Sequence, residues 1–276
     1  MSPKIHAHAA VILVANLVVT VAVAGPARAA DASAWDGDQR AAVRLVAGAR
    51  HGALHRAGIE IRLAPGWKTY WRYPGDSGIP PRFDFSNSKN VKSVTVRYPA
   101  PHRLTDESGT SIGYKTSVVF PLDIVPQDAA RPVMLMLKAD YAICEKICIP
   151  AEGKAELSVS GQAGAQDGWL KQNDALVPVT AAIGAGGPLA VRAVKRDDKR
   201  ILVDVAAPGA VELFAEGPAA DWALPVPTPV EGAPAGQQRF AFELDGLPPN
   251  TRPDGATLTL TAVSGGQAIE VPYRLD

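Results

Sequence analysis

The chain has 276 residues with 28 Lys and Arg against 28 Asp and Glu, so its formal net charge at pH 7 is zero. A neutral chain gives no electrostatic basis for binding nucleic acid or an anionic membrane, and we expect neither as a partner. The 25 Gly and 24 Pro residues require frequent turns, which favours many short strands over long helices.

The first 29 residues have the three parts of a secretory signal peptide. Lys4 gives a short positive start, an apolar stretch follows from Ala9 to Ala24, and Ala27-Arg28-Ala29 has the small-x-small pattern that signal peptidase cleaves. The apolar stretch is short for the alternative, an uncleaved membrane anchor. We therefore expect export to the periplasm and a soluble mature protein.

Stretches that alternate apolar and polar residues predict strands across residues 30–165. Turn-forming segments rich in Gly, Pro, Asn, Asp and Ser separate them. In chain order the predicted strands cover 58–63, 91–98, 117–125, 133–139 and 154–159. This spacing predicts a β-sandwich.

Residues 166–187 predict a linker that contains a short helix. Trp169, Leu170, Leu176 and Val177 recur near helical spacing in 166–182, Pro178 ends or kinks the helix, and a Gly-rich stretch follows. Beyond the linker, strands are predicted at 189–194, 200–205, 210–215, 239–244, 256–263 and 268–273. The predicted fold is therefore all-β, with a second sandwich over residues 188–276.

The two cysteines of the chain, Cys144 and Cys148, are four residues apart. In an extended strand, residues at this separation lie about 13 Å apart, which is too far for a disulfide. A bond therefore requires the chain to fold back between them. The strands predicted on either side make a hairpin with the pair at its end the natural arrangement.

A structural disulfide is the ordinary use of two cysteines in an exported protein. Closing a loop of five residues stabilises the fold by only about 2 kcal/mol, whereas short loops can hold exposed disulfides that are easily reduced. Lys146 lies between the cysteines and favours a thiolate, while the neighbouring Glu145 opposes it. Structural and redox roles both remain open on spacing alone.

Metal binding is the other chemistry that these residue types allow. Cys144 and Cys148 together with His51 and His55 could supply four zinc ligands. The two thiolates alone suit Cu(I), because soft sulfur ligands select that ion. The alternatives to redox exchange are therefore a Cu(I) chaperone or copper-tolerance protein, and a non-catalytic interaction module with a structural disulfide.

Four motifs that follow one another along the chain resemble the N-terminal periplasmic domain of the DsbD and ScsB thiol:disulfide interchange proteins. They are GWKTYWR at 66–72, PGDSG at 74–78, GY at 113–114 with VVFP at 118–121, and the cysteine segment at 144–150. The resemblance covers about residues 40–160, and its ordered motifs surround the only cysteine pair.

The resemblance implies an immunoglobulin-like sandwich that acts as a thiol:disulfide oxidoreductase. Its cysteine pair would take electrons from a membrane-embedded or thioredoxin-like donor and pass them to oxidised periplasmic proteins. ScsB-like members have two β-domains in this exported part, which fits the second predicted sandwich. No cofactor beyond the redox-active pair is implied.

The resemblance also implies roles for individual residues. Cys144 and Cys148 match the reactive pair, although DsbD has a wider spacing, and Tyr70 matches an aromatic position beside the site. Residues 105–111 match a cap loop in which DsbD has an aromatic residue and this chain has Glu107 and its polar neighbours. We expect Tyr70, Lys146 and Glu107 to line the site. The closeness of the return strand to Cys148 slightly favours Cys144 as the attacking thiol.

Overall fold

The computed structural model describes residues 30–75, 78–106 and 109–276. The predicted signal peptide and Glu107 lie outside these ranges. Within them nearly all regular structure is strand, with one helix, α1 (Asp167–Asp174). The prediction of an all-β fold with immunoglobulin-like sandwiches is confirmed. None of the helical structure in these ranges is long and apolar enough to cross a bilayer.

The first half forms two facing sheets. Its strands are β1 (Asp36–Gly37), β2 (Ala41–Ala47), β3 (His55–Leu63), β4 (Lys68–Gly75), β5 (Arg82–Asp84), β6 (Val91–Val96), β7 (His102–Asp106), β8 (Gly109–Lys115), β9 (Val118–Pro126), β10 (Val133–Cys144) and β11 (Cys148–Val159). One sheet has the order β1-β2-β3-β9-β6. The other has the order β11-β10-β4-β8-β7, with β5 paired to β10.

The core of this sandwich lies between the two sheets. In β10 alternate residues from Val133 to Ile143 are buried in it, as the period of a half-buried strand requires. Ile59 and Phe120 pack against them from the first sheet, and Trp71 of β4 is fully buried in the same cluster. This packing fixes which face of β4 and β10 points away from the core.

Helix α1 ends eight residues earlier than the sequence pattern predicts. It stops at Asp174 because a turn follows and Pro178 lacks the N–H that a continuing helix needs. Leu170 is buried, but Leu176 is exposed and does not share its face. A methyl group at Gly58 would come within 2.8 Å of Leu170, so the helix packs closely on the outer face of the first sheet.

The second half forms another pair of four-stranded sheets. Its strands are β12 (Val179–Thr180), β13 (Ala190–Asp197), β14 (Arg200–Ala206), β15 (Glu212–Glu216), β16 (Thr228–Val230), β17 (Gln237–Glu243), β18 (Thr257–Ser264) and β19 (Gln267–Arg274). The sheet orders are β12-β19-β18-β15 and β13-β14-β17-β16. A separate apolar core lies between them. The domain boundaries at 165/166 and 187/188 stay predictions.

Candidate functional site

The cysteine pair lies at the tip of the longest hairpin in the described residues. β10 and β11 pair in register from Val133 opposite Val159 to Cys144 opposite Cys148. The two cysteines form a disulfide, and their Cα atoms lie 4.1 Å apart. The predicted hairpin with the pair at its end is confirmed. The chain folds back through the three residues between them.

The two sulfur-bearing residues differ in their exposure. Cys144 is fully buried, whereas Cys148 is exposed at the start of the return strand. The alternation of β10 explains the burial: Ile143 points into the core, and Cys144 points to the opposite face with Ala142. Ile147, directly before Cys148, is 75% exposed. Only one end of the disulfide is therefore presented at the surface.

Tyr70 covers the buried end of the disulfide. Its ring packs with Ala142 and Cys144 in a small cluster outside the main core. Its hydroxyl lies 3.0 Å from the Sγ of Cys148, within hydrogen-bond distance for sulfur. Thr69, the preceding residue, points the other way and donates to the Ala142 carbonyl at 2.9 Å, which joins β4 to β10. The structure thus places the predicted lining residue Tyr70 against both cysteines.

Lys68 is a neighbour of the pair that the sequence interpretation did not single out. It lies directly opposite Cys144 in the β4–β10 ladder, so both side chains leave the sheet on the same face. Lys68 is only 4% exposed, and its Nζ donates to the Ser111 hydroxyl at 3.1 Å. Lys68 could have been predicted as a neighbour of the cysteines only if β4 had been predicted as a strand.

A glycine in β8 allows this face to be so closely packed. Gly113 lies opposite Tyr70, and a methyl group there would come within 2.9 Å of the Tyr70 Cα. Such a distance is shorter than real carbon contacts, so β8 can lie against β4 only without a side chain at this position. The glycine of the GY motif therefore has a packing role beside the site.

The other predicted lining residues fall in different places. Lys146 is exposed in the turn between the cysteines. Its neighbour Glu145 lies over Gly66, where a methyl group would be 3.0 Å from the carboxylate oxygen. Glu107 lies outside the described residues. The described part of the predicted cap segment forms the end of the β7–β8 hairpin, from which Ser111 contacts Lys68.

The two histidines considered as zinc ligands do not approach the cysteines. His55 is fully buried at the opposite end of the long hairpin, with Nδ1 3.2 Å from the Val159 carbonyl oxygen. His51 is exposed nearby and bridges to Leu54. Within residues 30–75, 78–106 and 109–276, no cluster of three or more His, Cys, Asp or Glu could hold a metal ion. The four-ligand zinc alternative therefore lacks the necessary geometry.

These features define an all-β protein of two sandwiches with a cysteine pair at a hairpin tip, beside a buried tyrosine. Residues 38–160 match the family described as Thiol:disulfide interchange protein DsbD, N-terminal. The resemblance derived from the four motifs is thereby confirmed. No curated protein sequence matches the chain significantly.

A solved structure shows the same fold over both sandwiches. The chain is similar to the N-terminal periplasmic domain of ScsB from Proteus mirabilis, with a TM-score of 0.70 and 21% sequence identity. The match covers 89% of this chain and 98% of that one. The second sandwich is therefore part of the shared architecture.

Proposed function

We propose that this protein is a periplasmic thiol–disulfide interchange protein that uses Cys144 and Cys148 to reduce oxidised partners. The observation that carries the proposal is the asymmetric disulfide at the hairpin tip, with Cys148 exposed and Cys144 buried under Tyr70. The match to the DsbD N-terminal family supports the same chemistry. We call Cys144, Cys148 and Tyr70 the exchange site.

Reduction of the exchange site begins at the exposed sulfur. A thiolate of the electron donor attacks the Sγ of Cys148, a donor–Cys148 disulfide forms, and Cys144 leaves as a thiolate. The second cysteine thiolate of the donor then attacks the sulfur of the donor's first cysteine in the mixed disulfide. This releases Cys148 as a thiolate. Two electrons have moved, and the donor has become a disulfide. Burial thus favours Cys148 over Cys144 as the sulfur that meets partners, which reverses the slight preference drawn from sequence.

Reduction of a client follows the same geometry in the other direction. The Cys148 thiolate attacks a client disulfide and releases one client sulfur as a thiolate. Cys144 then attacks the sulfur of Cys148 in the mixed disulfide and frees the second client sulfur. This reforms the Cys144–Cys148 disulfide, in which the Cα atoms lie 4.1 Å apart. The β10–β11 ladder pairs Cys144 with Cys148, which keeps the two residues adjacent for this step.

Neighbouring groups stabilise the thiolates that these steps produce. The Tyr70 hydroxyl lies where it can donate to a Cys148 thiolate. Lys68 lies opposite Cys144 on the same face, with its Nζ donating to Ser111 of β8. Lys146 adds a positive charge in the exposed turn. The exposed Ile147 gives a partner an apolar contact directly beside Cys148.

The partners in this proposal are a membrane-embedded or thioredoxin-like donor and oxidised periplasmic clients. The ScsB structure is named as a periplasmic domain, which supports the same location for this chain. Export through the predicted signal peptide at residues 1–29 belongs to the proposal. N-terminal sequencing of protein from the periplasmic fraction should give a start at or near Ala30, whereas full-length chain in the membrane fraction would contradict it.

Trapping of mixed disulfides tests the function and the assignment of the two sulfurs together. Cys144→Ala leaves only the exposed thiol and should accumulate disulfide-linked partners in periplasmic extract, because no second thiol can release them. Cys148→Ala is the matched control, in which the remaining thiol is buried, and should trap few. Failure of both variants to form mixed disulfides with any thioredoxin-like donor or client would contradict interchange, and preferential trapping by Cys148→Ala would reverse the sulfur assignment.

The Cu(I) alternative is tested on the same reduced protein. A Cu(I) site on the two thiolates requires stoichiometric binding that is lost in both single-cysteine variants. We expect interchange to proceed in the presence of a copper chelator. Loss of activity on chelation, together with tight stoichiometric Cu(I) binding, would favour the copper function.

A further inference from the structure

The second sandwich contacts the first through β15, whose central residues are buried on both faces of the strand. In β15, Leu213 and Ala215 belong to the core of the second sandwich. Phe214, between them, points the opposite way, is fully buried and packs in the core cluster of the first sandwich. Its ring centroid lies 5.8 Å from that of Trp71 in β4. The contact is therefore an extension of the first core, directly behind the strand that carries Tyr70.

Arg72, two residues after Tyr70, makes the main polar contact between the sandwiches. Its Nε and Nη2 donate to the two carboxylate oxygens of Glu216 at 2.8 and 2.7 Å, and Nη2 also donates to Glu270. Burial opposes the charge of Arg72, but the hydrogen bonds and charges of the two glutamates outweigh it and raise the pKa of the guanidinium. The guanidinium also lies 4.4 Å from the ring centroid of Trp71.

Arg72 lies in the part of β4 that is not paired with β8. The ladder between β4 and β8 shifts register between Tyr70 and Gly75, so residues 71–74 form a bulged segment. The Tyr73 hydroxyl in this segment donates to the Leu224 carbonyl of the second sandwich. Contacts with the second sandwich thus replace the missing part of the ladder.

Gly78 covers the ring of Tyr70 and lies close to the bulged segment. At Gly78 a methyl group would lie 2.6 Å from the Tyr70 ring and 2.8 Å from the Pro74 side chain. Tyr70 is therefore held between its own sheet and Gly78, which also lies against Pro74 of the bulged segment. A displacement of the bulged segment would change the position of the Tyr70 ring, and with it the hydroxyl on Cys148.

The neighbouring hairpin is held by the second sandwich as well. The backbone N–H of Arg103 in β7 donates to Glu212 at 2.9 Å, and its Nη2 donates to the Pro227 carbonyl at 2.8 Å. β7 pairs with β8, the strand that lies against Tyr70 and bears Ser111. β4 and β7, two strands of the sheet that carries the exchange site, thus both contact the second sandwich.

We propose that the second sandwich is a working part of the exchange site, and that Arg72 is a positioning residue that holds the Tyr70 hydroxyl against Cys148 through the bulged segment. This inference rests on the interchange function proposed above. Its chemical consequence lies in the reduced protein, where a correctly placed Tyr70 hydroxyl donates a hydrogen bond to the Cys148 thiolate. That hydrogen bond lowers the pH at which Cys148 becomes reactive.

The test is the pH dependence of Cys148 alkylation by iodoacetamide, measured in a Cys144→Ala background so that a single thiol reacts. Tyr70→Phe should raise the midpoint by about one pH unit, as expected when a hydrogen bond to the charged form is lost. Arg72→Met should raise it in the same direction. Because both changes act through one hydrogen bond, the double variant should shift no further than Tyr70→Phe alone.

Asp204→Asn is the matched control, because it removes a bidentate Arg–carboxylate ion pair like that of Arg72 with Glu216. Asp204 accepts from Nε and Nη2 of Arg239 at 2.6 and 2.7 Å within the second sandwich, away from the exchange site. We expect this variant to lower the melting temperature without moving the midpoint. A general loss of stability that propagated to Cys148 would move the midpoint in both variants and would overturn the proposal.

Two further outcomes would also overturn the proposal. One is an unchanged midpoint in folded Arg72→Met, and the other is a double variant whose shift is the sum of the single shifts. If Arg72→Met does not fold, Tyr73→Phe removes only the hydroxyl on Leu224 and must shift the midpoint in the same direction by a smaller amount. Alkylation needs no partner protein, so these results are independent of whether donor and client exchange occurs.

Discussion

The two sandwiches share an architecture and differ in what the outer faces of their sheets carry. In the first, the outer face of β4 and β10 carries Lys68, Tyr70 and Cys144, which are buried and polar or reactive. In the second, the outer face of β15 carries Phe214, which is buried against the first sandwich. Under the proposed function, this difference assigns the reactive residues to the first sandwich and a supporting contact to the second.

The largest effect should come from removing the apolar contact between the sandwiches. Phe214→Ala leaves a cavity beside Trp71, and we expect the free energy of unfolding to fall by about 3–5 kcal/mol. Phe240→Ala, in the core of the second sandwich, is the control and should cost a similar amount. Denaturant unfolding measures both.

A second measurement on Phe214→Ala and Phe240→Ala is the rate of thiol exchange at the cysteine pair. If the second sandwich supports the exchange site, folded Phe214→Ala should exchange thiols more slowly than Phe240→Ala at equal stability. Equal exchange rates in the two variants would contradict a supporting role and leave the second sandwich as an independent module.

The next effect concerns the close approach of β8 to β4. Gly113→Ala should lower the free energy of unfolding by about 1–3 kcal/mol, because the new methyl group forces the strands apart. Gly186→Ala is the control, since nothing lies within 4 Å of a methyl group there. We expect the control to remain within about 0.5 kcal/mol of the parent. A neutral Gly113→Ala would show that the exchange-site face tolerates separation of its strands.

A smaller effect is expected from opening the disulfide. Cys144 and Cys148 close a loop of only five residues, so reduction should lower the free energy of unfolding by no more than about 2 kcal/mol. Chemical denaturation of the oxidised and reduced protein gives this difference directly. Loss of the folded state on reduction would identify the bond as a structural one and would favour the non-catalytic alternative.

The smallest effect is expected at the exposed turn. Lys146→Glu replaces a positive charge between the cysteines with a negative one and should raise the pKa of the attacking thiol. Because the side chain is exposed, we expect exchange at pH 7 to slow by only about two- to fivefold, and by less at high salt. Lys195→Glu makes the same charge change on the second sandwich and should leave the rate unchanged. Equal slowing in both would indicate an effect of net charge rather than of position.

The sequence predicted the elements whose alternation is regular. The β10–β11 hairpin and β13 follow from period-two patterns, since over most of their length one face is buried and the other is more exposed. β4 did not show this pattern, because Lys68 and Tyr70 are buried on its outer face while Thr69 and Trp71 are buried on its inner face. A strand covered on both sides has no polar face to reveal it.

The chemistry of the site was predictable in part for a similar reason. The cysteines and Tyr70 were found because reactive residue types and ordered motifs stand out in a sequence. Arg72 and Glu216 are 144 residues apart, and only the packing of the two sandwiches brings them together. The early end of α1 at Asp174 was missed because Leu176 continues an apolar pattern while lying at the surface.

The most direct test of the central claim is a redox titration of the Cys144–Cys148 pair in defined dithiol buffers, followed by alkylation and mass spectrometry. A bond that cycles in interchange should equilibrate readily, at a potential above the roughly −300 mV below which structural disulfides lie. We predict such a value, with the β-sheet structure retained throughout the titration. A potential below that threshold, accompanied by unfolding on reduction, would contradict the interchange function.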